Sequence, residues 1–427
     1  MTPLRLSPQD RVGHTRHITL CPNIMLGAEN LTSLVFLSYL GRNGVLIFLL
    51  TGLLLLLRRI NFTIRELLAY WWLLLLPLWC MVSALWSQHP DLSLRHGTQL
   101  LITFIIAIAL ANRLSPAAFL RIQFSALLLA GIASILVGSV RPDGVWIGIF
   151  ASKNYYAFTM VALLLCSVAL LADRNATRTW RMAGLGGALL AVPQIVMAES
   201  VGAFMTSVFV LIGGWALLSN ASLPPARQKA RILFQGLLLL TLFLIALRVR
   251  DPLLEYIFRA TGKDPSLTGR TELWDTAIQE IGHAPILGTG YRAFWVEGNA
   301  LAEVLWAEFH IESKSGFNFH NLYLSNAVEI GITGVALQLL LLVPALFLGM
   351  RWLLRTGHAP AMFGFMAVSF VIGLSFVEVP VFFEFHALSV MVLISLVYGL
   401  RAVREVTIIR PAHPAPAFLP RYSRGLA

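Results

Sequence analysis

The sequence predicts an all-α polytopic membrane protein with about twelve transmembrane helices and one large extramembrane loop that contains short helices. Composition is the first reason: of 427 residues, 57% are hydrophobic and 12% charged, whereas soluble domains carry about 25% charged residues. Apolar runs are the second, because a helix needs roughly 20 apolar residues to cross a bilayer. Ten such runs lie at about 67–86, 97–112, 119–140, 155–172, 182–198, 202–219, 232–249, 320–349, 361–377 and 386–400.

The region from Ile24 to Leu57 is interrupted by "GRNG" and forms either one broken span or two short ones. The distribution of Lys and Arg distinguishes the two. The segments assigned to one side of the membrane hold 21 of them, whereas the short segments on the other side hold four. The positive-inside rule places the first set in the cytoplasm. Arg58 and Arg59 then share a side with the N-terminus, which requires two crossings before them.

This topology divides the chain into five regions. The long segment before the third-last helix holds ten of the 21 acidic residues and lies outside the cytoplasm, which is the periplasm in a bacterium with two membranes. The regions are a cytoplasmic N-terminus (1–23), about nine transmembrane helices (24–249), a large periplasmic loop (250–319), about three further helices (320–400) and a basic cytoplasmic tail (401–427).

One stretch of the loop, "TGRTELWDTAIQEIGHAP", predicts a helix. Its apolar residues recur with helical spacing on one stripe. Thr268 is the expected N-cap and Pro285 marks the far end. The stripe consists of Leu273, Trp274, Ala277, Ile278 and Ile281.

Composition also excludes several classes of function. The net charge of +11 is attributed to basic residues in cytoplasmic loops, which set the topology of membrane proteins. The sequence contains no dense basic run of the kind that binds nucleic acid. The three cysteines have no CxxC spacing, and no His/Cys/Glu cluster has the spacing of a metal site. No DxD pair is present to hold a metal-bound nucleotide sugar. We therefore expect no metal and no cofactor.

Polar groups beside a membrane are costly and are functional candidates by default. His320 ends the large loop and precedes an apolar run. Histidine can accept a proton near neutral pH, although the position alone favours a side chain that only solvates the interface. Arg270 begins the predicted loop helix, where a guanidinium and free backbone N–H groups favour an anion such as phosphate; the alternative is an ordinary surface arginine.

Weaker candidates lie elsewhere on the same side of the membrane. In "GIFASKNYYA", Lys153 could meet phosphate and Asn154 a sugar hydroxyl, or the lysine could simply snorkel to the interface. Arg292 in "GTGYRAFW" is a further cation. Glu329 lies about 13 Å from His320 along one continuous helix, so it is expected to pack or support rather than to pair with the histidine.

Four stretches carry a resemblance to the O-antigen ligase and Wzy-type polymerase superfamily, over about residues 70–400. They are "SALWSQHPDLSLRHG", "GIFASKN", "LTGRTELWDTAI…APILGTGYRAFW" and "HNLYLSNAVEIGITG". The chain most resembles the exopolysaccharide polymerases of this group. The resemblance implies a multi-helix, GT-C-like membrane glycosyltransferase that works without metal on undecaprenyl-diphosphate-linked glycans at the periplasmic side of the bacterial inner membrane. It also implies a chain-length co-polymerase and a flippase as partners.

The resemblance further implies roles for single residues. His320 matches the histidine that would deprotonate the acceptor hydroxyl, and Arg270 matches an arginine that would hold the diphosphate. Asn321 follows the histidine in the motif and is a weaker substrate-binding candidate. Ligases carry another arginine before the helix at 202–219, where this chain reads "AESVGAFMTS". The second diphosphate contact is then expected from Lys153, Arg292 or Arg95.

The main functional prediction is an inverting polymerase that moves the growing glycan from its lipid diphosphate onto the next lipid-linked repeat unit. The first alternative is a ligase that moves the glycan to lipid A core or another terminal acceptor. The second, from another class, is a polysaccharide transporter or flippase. Transporters place their polar groups near the middle of the membrane, whereas the candidates here cluster at its outer surface.

Overall fold

The computed structural model describes residues 21–248 and 269–409. These residues are almost entirely helical, with one two-stranded antiparallel sheet, β1 (Ser139–Val140) and β2 (Trp146–Gly148). The α-helices are α1 (Pro22–Val35), α2 (Leu37–Leu40), α3 (Arg42–Leu57), α4 (Ile60–Ala69), α5 (Leu75–Val82), α6 (Pro90–Arg113), α7 (Pro116–Leu136), α8 (Lys153–Ala172), α9 (Arg178–Met197), α10 (Val201–Asn220), α11 (Pro225–Arg248), α12 (Arg270–His283), α13 (Ala300–Glu308), α14 (Leu322–Thr356), α15 (Ala359–Leu374) and α16 (Ala387–Ile409).

Seven of the described helices are long and apolar enough to cross a membrane, namely α6, α7, α8, α9, α10, α14 and α16. An eighth span arises if α3 and α4, which are bent by 98° at their junction, count as one. The predicted all-α polytopic class is confirmed, but the count of twelve is not. The run at 67–86 yields only the shorter helical stretch Trp71–Leu85, and the run at 361–377 yields the 16-residue α15. Residues 24–57 are divided among α1, α2 and α3.

The bundle is organised around α8. Of the residues in the most apolar 18-residue stretch of α8, 78% are buried. In the corresponding stretches of α9 and α10 only 28% are buried, and the outer faces of these two helices remain free for lipid. Two glycines let α9 approach α8 closely: a Cβ at Gly184 would lie 2.9 Å from the Ser167 carbonyl oxygen, and one at Gly187 would lie 2.6 Å from Ser167 Oγ. Small residues at such contacts are how membrane helices pack without a hydrophobic driving force. Near its N-terminus, which carries part of the site, α8 is held to α9 by the hydrogen bond that the Tyr156 hydroxyl donates to Gln194 Oε1 at 2.7 Å.

The part of the loop from residue 269 onward has its own small core. The predicted helix is present as α12, and Leu273 and Ala277 of its stripe are buried beside Trp306 of α13 and Phe319. Ile278, which the stripe included, is 57% exposed, so the buried face is narrower than predicted. Gly269, rather than Thr268, precedes the first helical residue, and Thr268 lies outside the described residues.

Helix α14 is not continuous, because Gly331 adopts φ 69° and ψ 179° within it. The loop after α12 docks onto this break. Thr289 N and Gly290 N donate to the carbonyls of Val328 and Glu329 at 2.9 and 2.8 Å, and Ile332 N donates to Pro285 O at 2.9 Å. The break thus exposes backbone groups that the loop satisfies, as buried backbone requires. Two of the sequence motifs are joined by these bonds.

A third motif joins the same assembly. Tyr291 N donates to Ser83 Oγ at 2.9 Å, and Ser93 Oγ donates to Tyr291 O at 2.9 Å. Trp79 Nε1 donates to Ile330 O at 2.9 Å, beside the break in α14. The stretch around Ser83, the loop after α12 and the start of α14 therefore form one hydrogen-bonded unit.

Parts of the predicted regions lie outside the described residues: most of the N-terminal segment 1–23, residues 249–268 at the start of the large loop, and residues 410–427 of the basic tail. Residues 401–409, which were assigned to that tail, instead continue α16. The sides of the membrane on which these regions lie stay a prediction.

Candidate functional site

Three polar side chains from distant parts of the chain meet at one carboxylate, that of Glu378. Its Oε1 accepts hydrogen bonds from Arg270 Nη2 at 2.7 Å and from Asn154 Nδ2 at 3.0 Å. Its Oε2 lies 3.0 Å from His320 Nδ1. Ser200 Oγ donates to Asn154 Oδ1 at 3.1 Å and extends the group. The residue Glu378 is only 6% exposed. We call these five residues the Glu378 cluster.

The segment between α15 and α16 brings Glu378 into this position. The backbone N–H of Glu378 donates to Leu374 O at 2.9 Å, which continues the last turn of α15. Arg270 holds the segment a second time, because Nη1 donates to Val377 O at 2.6 Å. A guanidinium offers donors in a fixed fork, so one side chain can fix both a backbone carbonyl and the adjacent carboxylate.

The turn before α14 positions His320. The residue has φ 48°, an unusual value for a residue other than glycine. Asn318 Oδ1 accepts the His320 backbone N–H at 2.7 Å and stabilises this turn. Asn321 is the N-cap, accepting from Tyr323 N and Leu324 N at 3.0 and 3.1 Å. A side-chain oxygen at this position satisfies free N–H groups of the first turn.

The arrangement orients the histidine ring. With the carboxylate of Glu378 beside Nδ1, this nitrogen carries the proton that it donates, and Nε2 is left as the acceptor. The side chain of His320 is 24% exposed, so its ring is partly accessible. A histidine whose Nδ1–H is held by a carboxylate is the arrangement that a general base needs.

A cavity of about 630 Å³ opens beside this group. Its lining includes His320, Glu378 and Asn154, together with the cations Arg141 and Lys153. Arg141 forms an ion pair with Asp143 at 2.9 Å, with both side chains about half exposed. No carboxylate among the described residues forms an ion pair with Lys153. We call this space the Glu378 cavity; Arg270 reaches it through its bond to Glu378.

A second cluster of charged groups surrounds Glu384. Its Oε1 lies 2.9 Å from His96 Nδ1 and 3.4 Å from Arg292 Nη2. Arg292 N donates to Glu329 Oε2 at 2.9 Å. Burial disfavours the Glu384 carboxylate, but the His96 hydrogen bond and the Arg292 charge outweigh it and hold the pKa of Glu384 below its usual value. Burial also lowers the pKa of the neighbouring His386 to about 4.

This cluster lines a cavity of about 580 Å³, the Glu384 cavity. The two cavities share part of their lining, including the stretch 316–318, Val379, Phe383 and His386. Phe383 also stacks under Arg292, whose guanidinium carbon lies 5.1 Å from the ring centroid. The two cavities are therefore neighbours.

The structure brings together most of the residues predicted from sequence, but not all. His320, Arg270 and Asn154 meet at Glu378, and Lys153 lines the same cavity. Arg292 belongs to the Glu384 cluster. Asn321 is taken up by capping α14 and by donating to Phe376 O at 3.1 Å.

Arg95 lies on an exposed position of α6 and lines neither cavity, whereas its neighbour His96 does. Glu329 supports the Arg292 backbone, consistent with the supporting role expected for it.

Sequence reasoning missed the two carboxylates at the centres of these clusters. Glu378 and Glu384 lie in "SFVEVPVFFEFH", between apolar runs. The signal was present, because ionisable groups beside the membrane are costly wherever they occur. What the sequence did not provide was their proximity to His320 and His96, which are 58 and 288 residues away. Within residues 21–248 and 269–409, no group of three or more His, Cys, Asp or Glu side chains is arranged to hold a metal ion.

The helical membrane fold agrees with the comparisons to known proteins. The O-antigen ligase family (Wzy_C) matches residues 186–339, which run from within α9 to within α14. This match and the similarity to a protein of exopolysaccharide production both support the superfamily that the motifs predicted, that of O-antigen ligases and Wzy-type polymerases. This supports a membrane enzyme of polysaccharide biosynthesis.

The relative is the exopolysaccharide production protein ExoQ of Rhizobium meliloti (strain 1021). It is 29% identical to this chain over 366 residues, which cover 82% of each protein. Neither the description of the family nor the name of the relative mentions polysaccharide transport.

Proposed function

We propose that the protein is a bacterial inner-membrane glycan polymerase of exopolysaccharide or O-antigen biosynthesis. It transfers a polysaccharide from undecaprenyl diphosphate onto a lipid-linked repeat unit at the periplasmic side, without a metal and with inversion. The observation that carries the proposal is the 3.0 Å contact between His320 Nδ1 and Glu378 beside a cavity with Lys153 in its lining. Similarity to a protein of exopolysaccharide production supports the substrate class.

His320 acts as the base. Its Nε2 takes the proton of an acceptor sugar hydroxyl as the oxygen attacks the anomeric carbon of the donor. The bond from that carbon to the diphosphate oxygen breaks, and the electron pair leaves with the undecaprenyl diphosphate. Glu378 stabilises the positively charged ring that forms, as the carboxylate of a catalytic triad does. Attack opposite the leaving group inverts the anomeric centre.

Fixed positive charge stabilises the diphosphate as it departs. Lys153 suits this role because no carboxylate of the described chain neutralises it. Arg141 lines the same cavity, and its surface ion pair with Asp143 costs little to exchange for a phosphate. Arg270 donates through Nη1 and Nη2 to Val377 and Glu378, and it contributes positive charge next to the cavity from behind Glu378. Its contacts also make it a positioning residue for the base.

The second candidate is a ligase that transfers the glycan to lipid A core or another terminal acceptor, and the match to the O-antigen ligase family favours it. The two activities leave different intermediates when the enzyme is lost. We expect a deletion strain to accumulate single repeat units on lipid, measured by mass spectrometry of the lipid-linked pool. Accumulation of long lipid-linked chains would instead identify a ligase, and an unchanged pool would exclude both.

The proposed function requires a particular orientation of the protein in the membrane. Both termini lie in the cytoplasm and the loop from 250 to 319 lies in the periplasm, where a flippase delivers the lipid-linked repeat unit. A chain-length co-polymerase is the expected protein partner. Cysteine labelling at Glu272, an exposed position on α12, tests the side: a membrane-impermeant maleimide should label intact cells.

A further inference from the structure

The Glu384 cavity has a feature that its own ion pairs do not explain. Four of the residues that line it each carry a buried side-chain atom that has no hydrogen-bond partner among the described residues. These atoms are Trp306 Nε1, Ser325 Oγ, Glu384 Oε2 and His386 Nδ1. Trp306 is 2% exposed and Ser325 is 8% exposed. A buried polar atom without a partner costs about 1–3 kcal/mol, so four around one cavity indicate a site that a polar ligand completes.

The chemistry of these four groups matches sugar hydroxyls. An indole N–H can only donate, a carboxylate oxygen can only accept, and a serine hydroxyl does both. A hydroxyl also does both, so a ring that carries several of them can satisfy the whole set. Aromatic side chains in the lining, including Trp295, Phe317 and Phe383, offer apolar faces for the C–H side of a sugar ring. The volume of about 580 Å³ falls within the roughly 300–1,000 Å³ of small-molecule sites.

Charge distinguishes this cavity from its neighbour. Both of its Arg and Lys side chains are already bound to carboxylates: Arg292 to Glu384 at 3.4 Å, and Lys314 to Glu303 at 2.6 Å. Lys153 in the Glu378 cavity has no such partner among the described residues. A diphosphate would therefore bind in the Glu378 cavity, where an unpaired cation is available. The Glu384 cavity offers hydrogen bonds without a free positive charge and so favours an uncharged saccharide.

Position then assigns the saccharide. The two cavities share the stretch 316–318 and Phe383, so a sugar in one lies next to the base in the other. We infer that the Glu384 cavity is the subsite for the non-reducing terminal sugar of the acceptor repeat unit, which it holds so that one hydroxyl reaches His320. This inference rests on the proposed transferase function and adds to it where the acceptor binds.

The test removes single unpartnered atoms. Ser325→Ala removes the hydroxyl, and Trp306→Phe removes the indole N–H while keeping an aromatic ring. Neither atom has a partner to lose, so Ser325→Ala should not affect folding, whereas Trp306→Phe also reduces packing in the core of the loop. Ser369 provides a matched control, because its Oγ is also buried without a partner, but it lines a different pocket beside Phe209.

The full-length protein in lipid nanodiscs is titrated with two probes: the repeat-unit oligosaccharide released from its lipid, and undecaprenyl diphosphate without sugar.

We expect Ser325→Ala and Trp306→Phe each to weaken oligosaccharide binding roughly 5- to 30-fold, the effect of one lost buried hydrogen bond. Undecaprenyl diphosphate should bind as in the wild type, and Ser369→Ala should bind both probes normally. Unchanged oligosaccharide binding in Ser325→Ala, equal weakening of both probes, or no oligosaccharide binding by the wild type would overturn the inference. A melting temperature measured for each variant separates Trp306→Phe misfolding from lost contact, and Ser325→Ala keeps the test decisive in that case.

Failure of the inference is distinguishable from failure of the proposed function. If the wild type forms polymer and Ser325→Ala leaves the KM for the acceptor unchanged, only the subsite assignment is wrong. If the wild type forms no glycosidic bond but the variants still weaken oligosaccharide binding, the transferase proposal fails while the saccharide site stands.

Discussion

Glu378 Oε2 lies 3.0 Å from His320 Nδ1, and Oε1 of the same carboxylate accepts from Arg270 at 2.7 Å. One buried carboxylate thus joins the two residues that the sequence motifs single out. The pairing explains how an otherwise ordinary interfacial histidine acquires a fixed ring orientation. It also explains why the arginine is required close by, because a buried carboxylate needs compensating charge.

The carboxylate can be tested by removing only its charge. Glu378→Gln keeps the shape of the side chain but weakens each charge-assisted hydrogen bond, which is worth about 1.5–3 kcal/mol. We expect transfer by the purified protein to fall roughly 10- to 100-fold with little change in the KM of either substrate. Glu272→Gln, at an exposed position on α12, is the control and should retain full activity. A Glu378→Gln variant as active as this control would show that the carboxylate does not support the base.

Asn154 offers a test of charge at the same place. Asn154→Asp is nearly isosteric but sets a second carboxylate 3.0 Å from Glu378 Oε1. Like charges at this distance repel strongly in a partly buried site. We therefore expect Asn154→Asp to reduce the transfer rate more than Asn154→Ala, which loses the hydrogen bonds to Glu378 and from Ser200 but adds no charge. The ratio of the two rates is the measurement, and the reverse order would contradict the assigned contact.

The break in α14 makes a prediction about stability. Gly331 has φ 69°, and a Cβ there would overlap the Ile286 carbonyl oxygen. Gly331→Ala should therefore destabilise the protein by more than about 2 kcal/mol, measured by thermal unfolding in detergent. Gly213 in α10 is the control, because no other atom lies within 4 Å of the place that its Cβ would take. Gly213→Ala should be neutral or stabilise the helix by about 0.5–1 kcal/mol. Equal melting temperatures would show that the docked loop does not need the glycine.

His386 predicts a dependence of stability on pH. Its pKa falls from 6.5 in the unfolded chain to about 4 in the folded protein, because burial disfavours the charged ring. The unfolded state then binds more protons between these values, so this residue's contribution to stability is complete above about pH 6.5 and is lost as the pH falls toward 4. We expect His386→Gln to lose less melting temperature than the wild type between pH 7 and pH 5.

The exposed His283 on α12 supplies the control for that comparison, since its side chain is 77% exposed. His283→Gln should follow the wild type between pH 7 and pH 5. If His386→Gln follows it as well, the ring of His386 is not held neutral by burial.

Composition and charge were sufficient to predict the fold class, because a membrane helix is specified locally by its own apolar residues. They were not sufficient to predict the number of spans. Gly41 and the short 3-10 helices on either side of α5 interrupt apolar runs that are continuous in composition. The motifs predicted His320 and Arg270, but not Glu378. No local pattern marks a carboxylate whose meaning depends on a contact across 58 residues of sequence. Arg95 is the reverse case, because it has a suitable charge but lines neither cavity.

The central claim is that His320 removes the proton from the acceptor hydroxyl. The most direct measurement is glycosidic bond formation by the purified full-length protein in proteoliposomes, supplied with the undecaprenyl-diphosphate-linked repeat unit and followed by mass spectrometry of the products. General-base catalysis contributes about 10²- to 10⁴-fold, so His320→Ala should lower the rate of polymer formation by that factor, while His283→Ala should leave it unchanged. Polymer formation by His320→Ala at the wild-type rate would contradict the account.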